Sequence, residues 1–507
     1  MDSEDDFMSD PPSGDELDFD EGTQDSDVGS LGGDFDQDQD GSFGYEKDIL
    51  THPQKPYEVD YKVLSPKDIQ IQQTRQFEEV SSIIELPAEQ AAILLRFMRW
   101  NKERLIESYM DNQDKVLESA GLGSIFGNTP KLQTVMGFTC DICYEDDPSL
   151  QTFAMKCGHR YCVDCYTHYL TQKVKEGEAA RIECAFDGCH RIVDSKSLRL
   201  LVEQAVQDRY EVLLNRTYVD DKDNLKWCPA PECEYAVDCA VKKRDLSRIV
   251  PTVRCSNDHS FCFGCTLSDH RPAPCALVKK WMKKCEDDSE TSNWISANTK
   301  ECPKCNSTIE KNGGCNHMTC RKCKHEFCWM CMGPWVEHGT SWYNCNRFEE
   351  KSGSDARDAQ ARSRHSLERY LHYYNRYANH EQSAKLDKDL WLKTEKKMTS
   401  LQSQSNMSWI EVQFLDTASK ALQACRQTLK WTYAFAFYLA RNNMTEIFED
   451  NQKDLEMAVE NLSQMFEKPV NELGGLKVEI LDKTTYCNRR REILLSDTAE
   501  NLKKGEF

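Results

Sequence analysis

Residues 310–320 read EKNGGCNHMTC, placing Cys315 and His317 directly after two glycines. A thiolate in such a loop can do one of two things: ligate a metal, or stay free to attack an electrophile. The neighbouring spacing allows both. In one reading Cys302, Cys305, Cys315, His317, Cys320, Cys323, Cys328 and Cys331 form an interleaved set of donors for two ions, which strands His338 and Cys345. In the other the pairs bind in order. Cys302, Cys305, Cys320 and Cys323 then hold one ion, Cys328, Cys331, His338 and Cys345 hold the second, and Cys315 and His317 are free. Each reading supplies the four N/S donors of a tetrahedral structural zinc. Spacing alone does not choose between them.

The chain has 25 cysteines, an odd number, and 23 of them fall between Cys140 and Cys345. The first residues lack the basic and apolar regions of a secretory signal. The longest apolar run, WTYAFAFYLA at 431–440, is shorter than the roughly 18–20 residues of a membrane span. A soluble, intracellular protein with reduced thiols is therefore expected, and a dense Cys/His block in that setting reads as zinc. The first cluster interleaves its pairs as the cross-brace of a RING domain does. Cys140, Cys143, Cys162 and Cys165 go to one ion, and Cys157, His159, Cys184 and Cys189 to the other. Ile142, an apolar side chain between two ligands, is a candidate contact for a protein partner. The second cluster pairs in sequence: Cys228, Cys233, Cys255 and His259, then Cys262, Cys265, His270 and Cys275. Cys239 is the spare donor that could replace His259. With the ordered reading of the third cluster the expectation is six zinc ions, and Cys239, Cys285, Cys425 and Cys487 are buried or incidental thiols.

What must position these loops lies on both sides of them. A chain of 507 residues is too long for one core and suggests three or four domains. The net charge of −21 is mostly a tail: residues 1–40 hold 16 Asp/Glu and no Lys or Arg, leaving −5 for the rest. Such a composition cannot bury enough apolar surface to offset ordering, so disorder is expected there. Residues 65–86 and 87–112 have helical spacing, with Leu94, Leu95, Phe97, Met98, Leu105 and Ile106 near one face and Pro87 at a first turn. From about 355 the composition changes to Lys, Glu, Gln, Leu and aromatics. Leu367, Tyr370, Leu371, Tyr374 and Tyr377 recur at helical steps, and Ser408 stands three before Glu411 as in a capping box. Helical stretches near 447–468 and 475–503 complete an antiparallel bundle of four or more helices. Trp329, Trp335 and Trp342 are expected to pack the small third cluster. The Cys-rich block has no long Lys/Arg run, which argues against nucleic acid as a partner.

Three Cys/His modules in this order resemble the RING-in-between-RING ubiquitin ligases, and the flanking segments resemble their Ariadne family. The resemblance rests on CDICYED, CGHRYCVDC, KWCPAPEC, FCFGC, CPKCNSTIEKNGGCNHMTC and FCWMCMGPWVEHGTSWYNCN, then NMSWIEVQFL and YAFAFYL, and it runs from about residue 65 to 500. It implies a multidomain fold of small zinc-rich α+β modules between a UBA-like helical module and a C-terminal antiparallel helical bundle. The implied boundaries are an acidic disordered tail (1–45), a UBA-like module (65–126) and a first RING (136–193). A helical linker (194–225), an in-between-RING module (226–276), a linker helix (277–298), a catalytic second RING (299–347) and an Ariadne domain (355–507) follow.

The family likeness also implies that Cys315 is a free nucleophile. It would take ubiquitin as a thioester from a conjugating enzyme docked near Ile142, then pass it to a substrate lysine. His317 would act as general base on the incoming amine, and Gly313 and Gly314 would let the ubiquitin tail approach. The UBA-like module would recognise neddylated cullin complexes, and the Ariadne domain would fold back and hold the enzyme inactive. A cytoplasmic site is expected, with the nucleus open as well, since NRRRE at 488–492 is too short for a signal; no membrane partner is expected. One departure stands out. Asn257 occupies the place of a usual cysteine in the middle module, which makes His259 the substitute ligand. The competing reading is a non-catalytic zinc-module adaptor, and it requires Cys315 to ligate zinc.

Overall fold

A strand, Tyr61–Leu64 (β1), leads into helix Pro66–Ile84 (α1), which Ser65 and Asp68 start with a reciprocal capping box. The computed structural model describes residues 55–123, 130–287, 299–311, 313–338, 344–348, 359–405, 409–468, 472 and 474–507. The acidic tail, Trp342 and the Ser408 cap lie outside these residues. The described residues belong to one compact unit, Gln54–Phe507.

The helical pattern of 87–112 is not one helix but two, Ala88–Phe97 (α2) and Lys102–Asp111 (α3), followed by Gln113–Ser119 (α4). Pro87 sits just before α2 rather than inside it. The break comes at Arg99 and Trp100, both at positive φ (49° and 59°). The reversal turns the Trp100 indole inward against Phe77 and Tyr218, so two left-handed residues accompany the burial of a large aromatic surface. Leu94, Leu95 and Leu105 are buried as expected, but Phe97 is 37% exposed.

The first zinc module is a three-stranded antiparallel sheet of Leu132–Thr134 (β2), Gln151–Ala154 (β3) and Arg160–Cys162 (β4), backed by helix Val163–Lys175 (α5). Helices Ser195–Leu201 (α6) and Gln204–Asp220 (α7) follow. Tyr210, Leu213 and Leu214 of α7 complete the core of this module. Tyr218 and Val219 complete the core of the N-terminal helices, joined by a buried Gln73–Asn215 hydrogen bond of 2.8 Å. The N-terminal helices thus share their core with α7 instead of standing alone, which is how so short a segment buries enough apolar surface.

In the middle module Leu225–Trp227 (β5) and Ala236–Cys239 (β6) take β1 as their third strand, in the order β1-β6-β5. A hairpin of Thr252–Arg254 (β7) and Ser260–Cys262 (β8) precedes helix Cys275–Asp287 (α8). The third module has two hairpins, Thr299–Glu301 (β9) with Thr308–Glu310 (β10), and His317–Thr319 (β11) with Glu326–Cys328 (β12). The C-terminal bundle consists of Ala359–Ser405 (α9), Trp409–Ala436 (α10), Asn443–Phe466 (α11) and Lys477–Lys504 (α12). Tyr370 is buried in it, but Tyr373, not Leu367, is the next deep contact; Leu367 is 48% exposed. Trp281 of α8 packs among Tyr370, Tyr377 and Phe437. The apolar run at 431–440 is bundle core, and none of the described helices is long and apolar enough to cross a membrane.

Candidate functional site

The metal sites begin with a repeated turn. In five Cys-x2-Cys pairs the residue after the second cysteine donates its N–H to the carbonyl of the first: Tyr144, Thr266, Asn306, Lys324 and Met332, at 2.7–2.9 Å. All five have positive φ, between 56° and 64°. Five non-glycine residues in the left-handed region need a compensating interaction. The turn points two thiols at one spot, where a bound cation would supply it.

The structure gathers Cys140, Cys143, Cys162 and Cys165; Cys157, His159, Cys184 and Cys189; Cys228, Cys233, Cys255 and His259; Cys262, Cys265, His270 and Cys275; and Cys302, Cys305, Cys320 and Cys323, with donor atoms within 4.8 Å of each other in each quartet. Zinc with S at about 2.3 Å and N at about 2.0–2.1 Å implies tetrahedral edges of about 3.8 Å (S···S) and 3.6 Å (S···N). Observed edges are 3.7 Å for Cys143–Cys162, 3.8 Å for Cys233–Cys255 and 3.6 Å for both Cys302–Cys323 and Cys305–Cys320. The donors fit zinc. Side-chain contacts also join Cys328 to Cys331 and Cys345, and His338 to Cys331 and Cys345. His259 Nδ1 lies 3.5 Å from Cys228 Sγ and 3.4 Å from Cys255 Sγ, whereas Cys239 faces Tyr61 across the β1–β6 ladder. Asn257, at the expected cysteine position, donates to Cys233 Sγ at 3.6 Å, an outer contact that orients the ligand.

Cys315 and His317 stand outside the Cys302 quartet. Cys315 lies between the two hairpins of the third module, 2% exposed, with the bundle pressed against it. Its Sγ lies 3.7 Å from the Glu460 carbonyl oxygen, its N–H donates to Glu467 Oε1 at 3.4 Å, and the His317 N–H donates to its Sγ at 3.3 Å. The next residue, Asn316, gives its backbone N–H to Glu460 Oε2 and its side-chain amide to Glu460 Oε1. Burial first, and then the Glu460 and Glu467 carboxylates, push the Cys315 thiol well above its ordinary range. In this arrangement the sulfur is a protonated thiol.

The two glycines have a use the sequence did not reveal. A Cβ on Gly313 would fall 2.0 Å from Glu467 Oε1, and one on Gly314 would fall 2.1 Å from Asp387 Oδ1. They admit the bundle's carboxylates. Arg426, fully buried, ties Asp387 (3.2 Å) and Glu460 (2.6 Å) together and donates to the Gly314 carbonyl at 2.9 Å.

The His317 imidazole does not meet the Cys315 sulfur here. It stacks on Trp335 with ring centroids 4.3 Å apart, and its nitrogens lie 3.2 Å from Glu326 Oε2 and from Gln464 Nε2. Trp335 in turn stacks on His338, and Trp329 is buried, so two of the three tryptophans pack the module as expected. A groove of about 590 Å³ lined by Ile309, Gly313, Cys315, His317, Met318 and Gln464 leads to the sulfur. Ile142 is 48% exposed on the first module. Sequence reasoning passed over Lys311, Asn316, Asp387, Arg426, Glu460 and Glu467. The four in the bundle are ordinary polar residues of a helical pattern, and only packing brings them to Cys315.

Comparison with known proteins matches residues 140–185 to the C3HC4 RING zinc finger and residues 208–275 to the IBR domain, a half RING-finger domain. Residues 297–346 match the IBR domain again, residues 72–111 the UBA-like domain of E3 ubiquitin-protein ligase ARIH1, and residues 368–485 the Ariadne domain. Similar proteins include E3 ubiquitin-protein ligase dbl4 of Schizosaccharomyces pombe, 53% identical over 89% of this chain and 90% of its own length. E3 ubiquitin-protein ligase ariadne-1 of Drosophila melanogaster is 44% identical over 92% of this chain and 94% of its own. ARIH1 of Homo sapiens is 44% identical over 88% of this chain and 81% of its own. Zinc modules in this order between a UBA-like module and an Ariadne bundle, with relatives this similar along nearly all of their length, make the chain a member of the Ariadne family of RING-in-between-RING E3 ubiquitin ligases.

Proposed function

We propose that this ligase works by relay: Cys315 takes ubiquitin from a conjugating enzyme as a thioester and passes it to a substrate lysine, and the C-terminal bundle holds the relay off. The observation that carries this reading is the position of Cys315. It lies outside the Cys302 zinc quartet, on a Gly–Gly loop, with bundle carboxylates closed over it. In the first step the Cys315 thiolate attacks the carbonyl carbon of the ubiquitin thioester and the conjugating enzyme's thiolate leaves. In the second a lysine amine attacks, the Cys315 thiolate leaves and an isopeptide forms. The amine must lose a proton, and His317 would accept it once the bundle withdraws and frees the imidazole from Gln464. Six zinc ions, held by the quartets above with Cys328, Cys331, His338 and Cys345 as the sixth, would fix the loops and take no part in either step.

Docking of the conjugating enzyme is assigned to the RING surface at the exposed Ile142, and neddylated cullin complexes to the UBA-like module. The domain boundaries given by the sequence are retained in this proposal, with α7 shared between the first two modules. A test is Cys315→Ser in a full-length chain also carrying Glu460→Gln and Glu467→Ala to loosen the bundle. Incubation with charged conjugating enzyme should give a ubiquitin ester at residue 315 that resists thiol and yields to alkali, with zinc content unchanged. Loss of one zinc with no ester would mean that Cys315 is a ligand and the chain an adaptor.

A further inference from the structure

Lys311 is only 4% exposed, yet among the described residues its ammonium hydrogen-bonds to no carboxylate. Its ammonium has three donors, and all three go to neutral acceptors: Asn316 Oδ1 at 3.0 Å, Asn379 Oδ1 at 2.8 Å and Ser383 Oγ at 3.0 Å. Burial pushes its pKa down to about 8. Two of these acceptors belong to helix α9 of the bundle. The third is its own module's Asn316, the neighbour of the nucleophile.

The lysine and Asn316 bracket the loop that carries Gly313, Gly314 and Cys315. Among the described residues of the third module Asn316 has two attachments: this ammonium on its side chain, and the Trp329 N–H on its backbone carbonyl at 2.8 Å. Its remaining partners, Glu460 and Asn379, are on the bundle. When the bundle withdraws, the Gly-rich loop loses those outer supports and keeps only the inner two. A loop with two successive glycines has much conformational freedom to restrict.

We propose that Lys311 is a positioning residue for the transfer, tethering Asn316 so that the loop keeps Cys315 in place when the bundle has left it. This deepens, and rests on, the relay reading above. A lysine that merely joined the bundle to the module would act with the opposite sign. Removing it would weaken closure and raise activity, or change nothing in a chain already loosened. A tether predicts a loss in that same loosened chain, on the order of ten- to a hundredfold, the usual cost of misplacing a reacting group.

The experiment introduces Lys311→Met and, separately, Lys311→Arg into the full-length Glu460→Gln, Glu467→Ala chain. It reads the single-turnover rate of ubiquitin transfer from the charged conjugating enzyme to Cys315, the rate of Cys315 alkylation by iodoacetamide against pH, zinc content and melting temperature. The expected result is slower charging in Lys311→Met, partial rescue in Lys311→Arg, and unchanged zinc and melting. Charging equal to or faster than the parent overturns the inference. Loss of zinc or of folding in both variants also overturns it, since the role would then be structural. Failure of the relay reading looks different: the parent chain itself would form no thioester at Cys315.

Discussion

Opening the bundle by two substitutions at its face should raise the reactivity of Cys315, and the structure sets the scale. Glu460 Oε1 accepts from Arg426 and from the Asn316 amide, and Oε2 accepts the Asn316 N–H. In Glu460→Gln the oxygen stays with the two former donors, so the new NH2 must face the Asn316 N–H. That forfeits a charge-assisted bond worth roughly 1.5–3 kcal/mol. Glu467→Ala removes the acceptor of the Cys315 N–H, a long bond at 3.4 Å and so about 1 kcal/mol. Together the closed state loses roughly 3 kcal/mol, a shift of more than a hundredfold toward the open state. Within the bundle Arg426 keeps Asp387 and the new amide's oxygen as acceptors, so the bundle itself should stay folded. Alkylation of Cys315 in the full chain, followed by mass spectrometry from pH 6.5 to 9.5, measures the effect without any partner. Thiolate is the reactive species, and burial with two carboxylates raises the wild-type pKa. Wild type should therefore react slowly and keep accelerating to the top of the range. The double variant should react at least tenfold faster at neutral pH, with its profile moved to lower pH. An unchanged rate and profile, in a variant with wild-type melting, would refute the idea that these carboxylates gate the thiol.

Gly314→Ala should also open the interface and accelerate alkylation, because its Cβ would meet Asp387 Oδ1 at 2.1 Å and Arg426 holds that carboxylate in place. Gly313→Ala should do so more weakly, since the clash at 2.0 Å is with the far end of Glu467, which can swing aside; melting curves check that both variants fold. His372 is held neutral, its pKa pushed down to about 3 by burial and by Arg376, while its Nε2 meets the Asn346 carbonyl at 3.0 Å. The unfolded chain takes up a proton near pH 6.5 and the folded one does not, so this residue's contribution is full above pH 6.5 and falls as pH drops toward 3. Between pH 6.5 and 5 it should cost about 2 kcal/mol, and denaturant titrations of His372→Gln should show a correspondingly flatter acid limb.

The sequence by itself determined the modules and most of their contents. Cys-x2-Cys pairs are local: a turn of four residues sets two thiols at one point whatever surrounds it, so the donors could be counted and grouped in advance. His259 was legible for the same reason, as a donor near the pair that lacked one. Helical periodicity located the bundle within a few residues, because an amphipathic stripe is written in consecutive residues. Three matters escaped it. The third module satisfied the donor count in two ways, since counting ligands does not say which strands pair. The β11–β12 hairpin, opposing His317 to Cys328, holds Cys315 outside the Cys302 quartet. The break at Trp100 depended on Tyr218, more than a hundred residues away, which no local pattern contains. The environment of Cys315 was hidden most completely. Asp387, Arg426 and Glu460 sit on three separate helices, with Glu467 just past the end of the last, and they act only through packing; the charge and solvent around a thiol depend on what is near it in space, not along the chain. The chain's identity as a ligase lies in short motifs; the state of its sulfur is decided by tertiary structure.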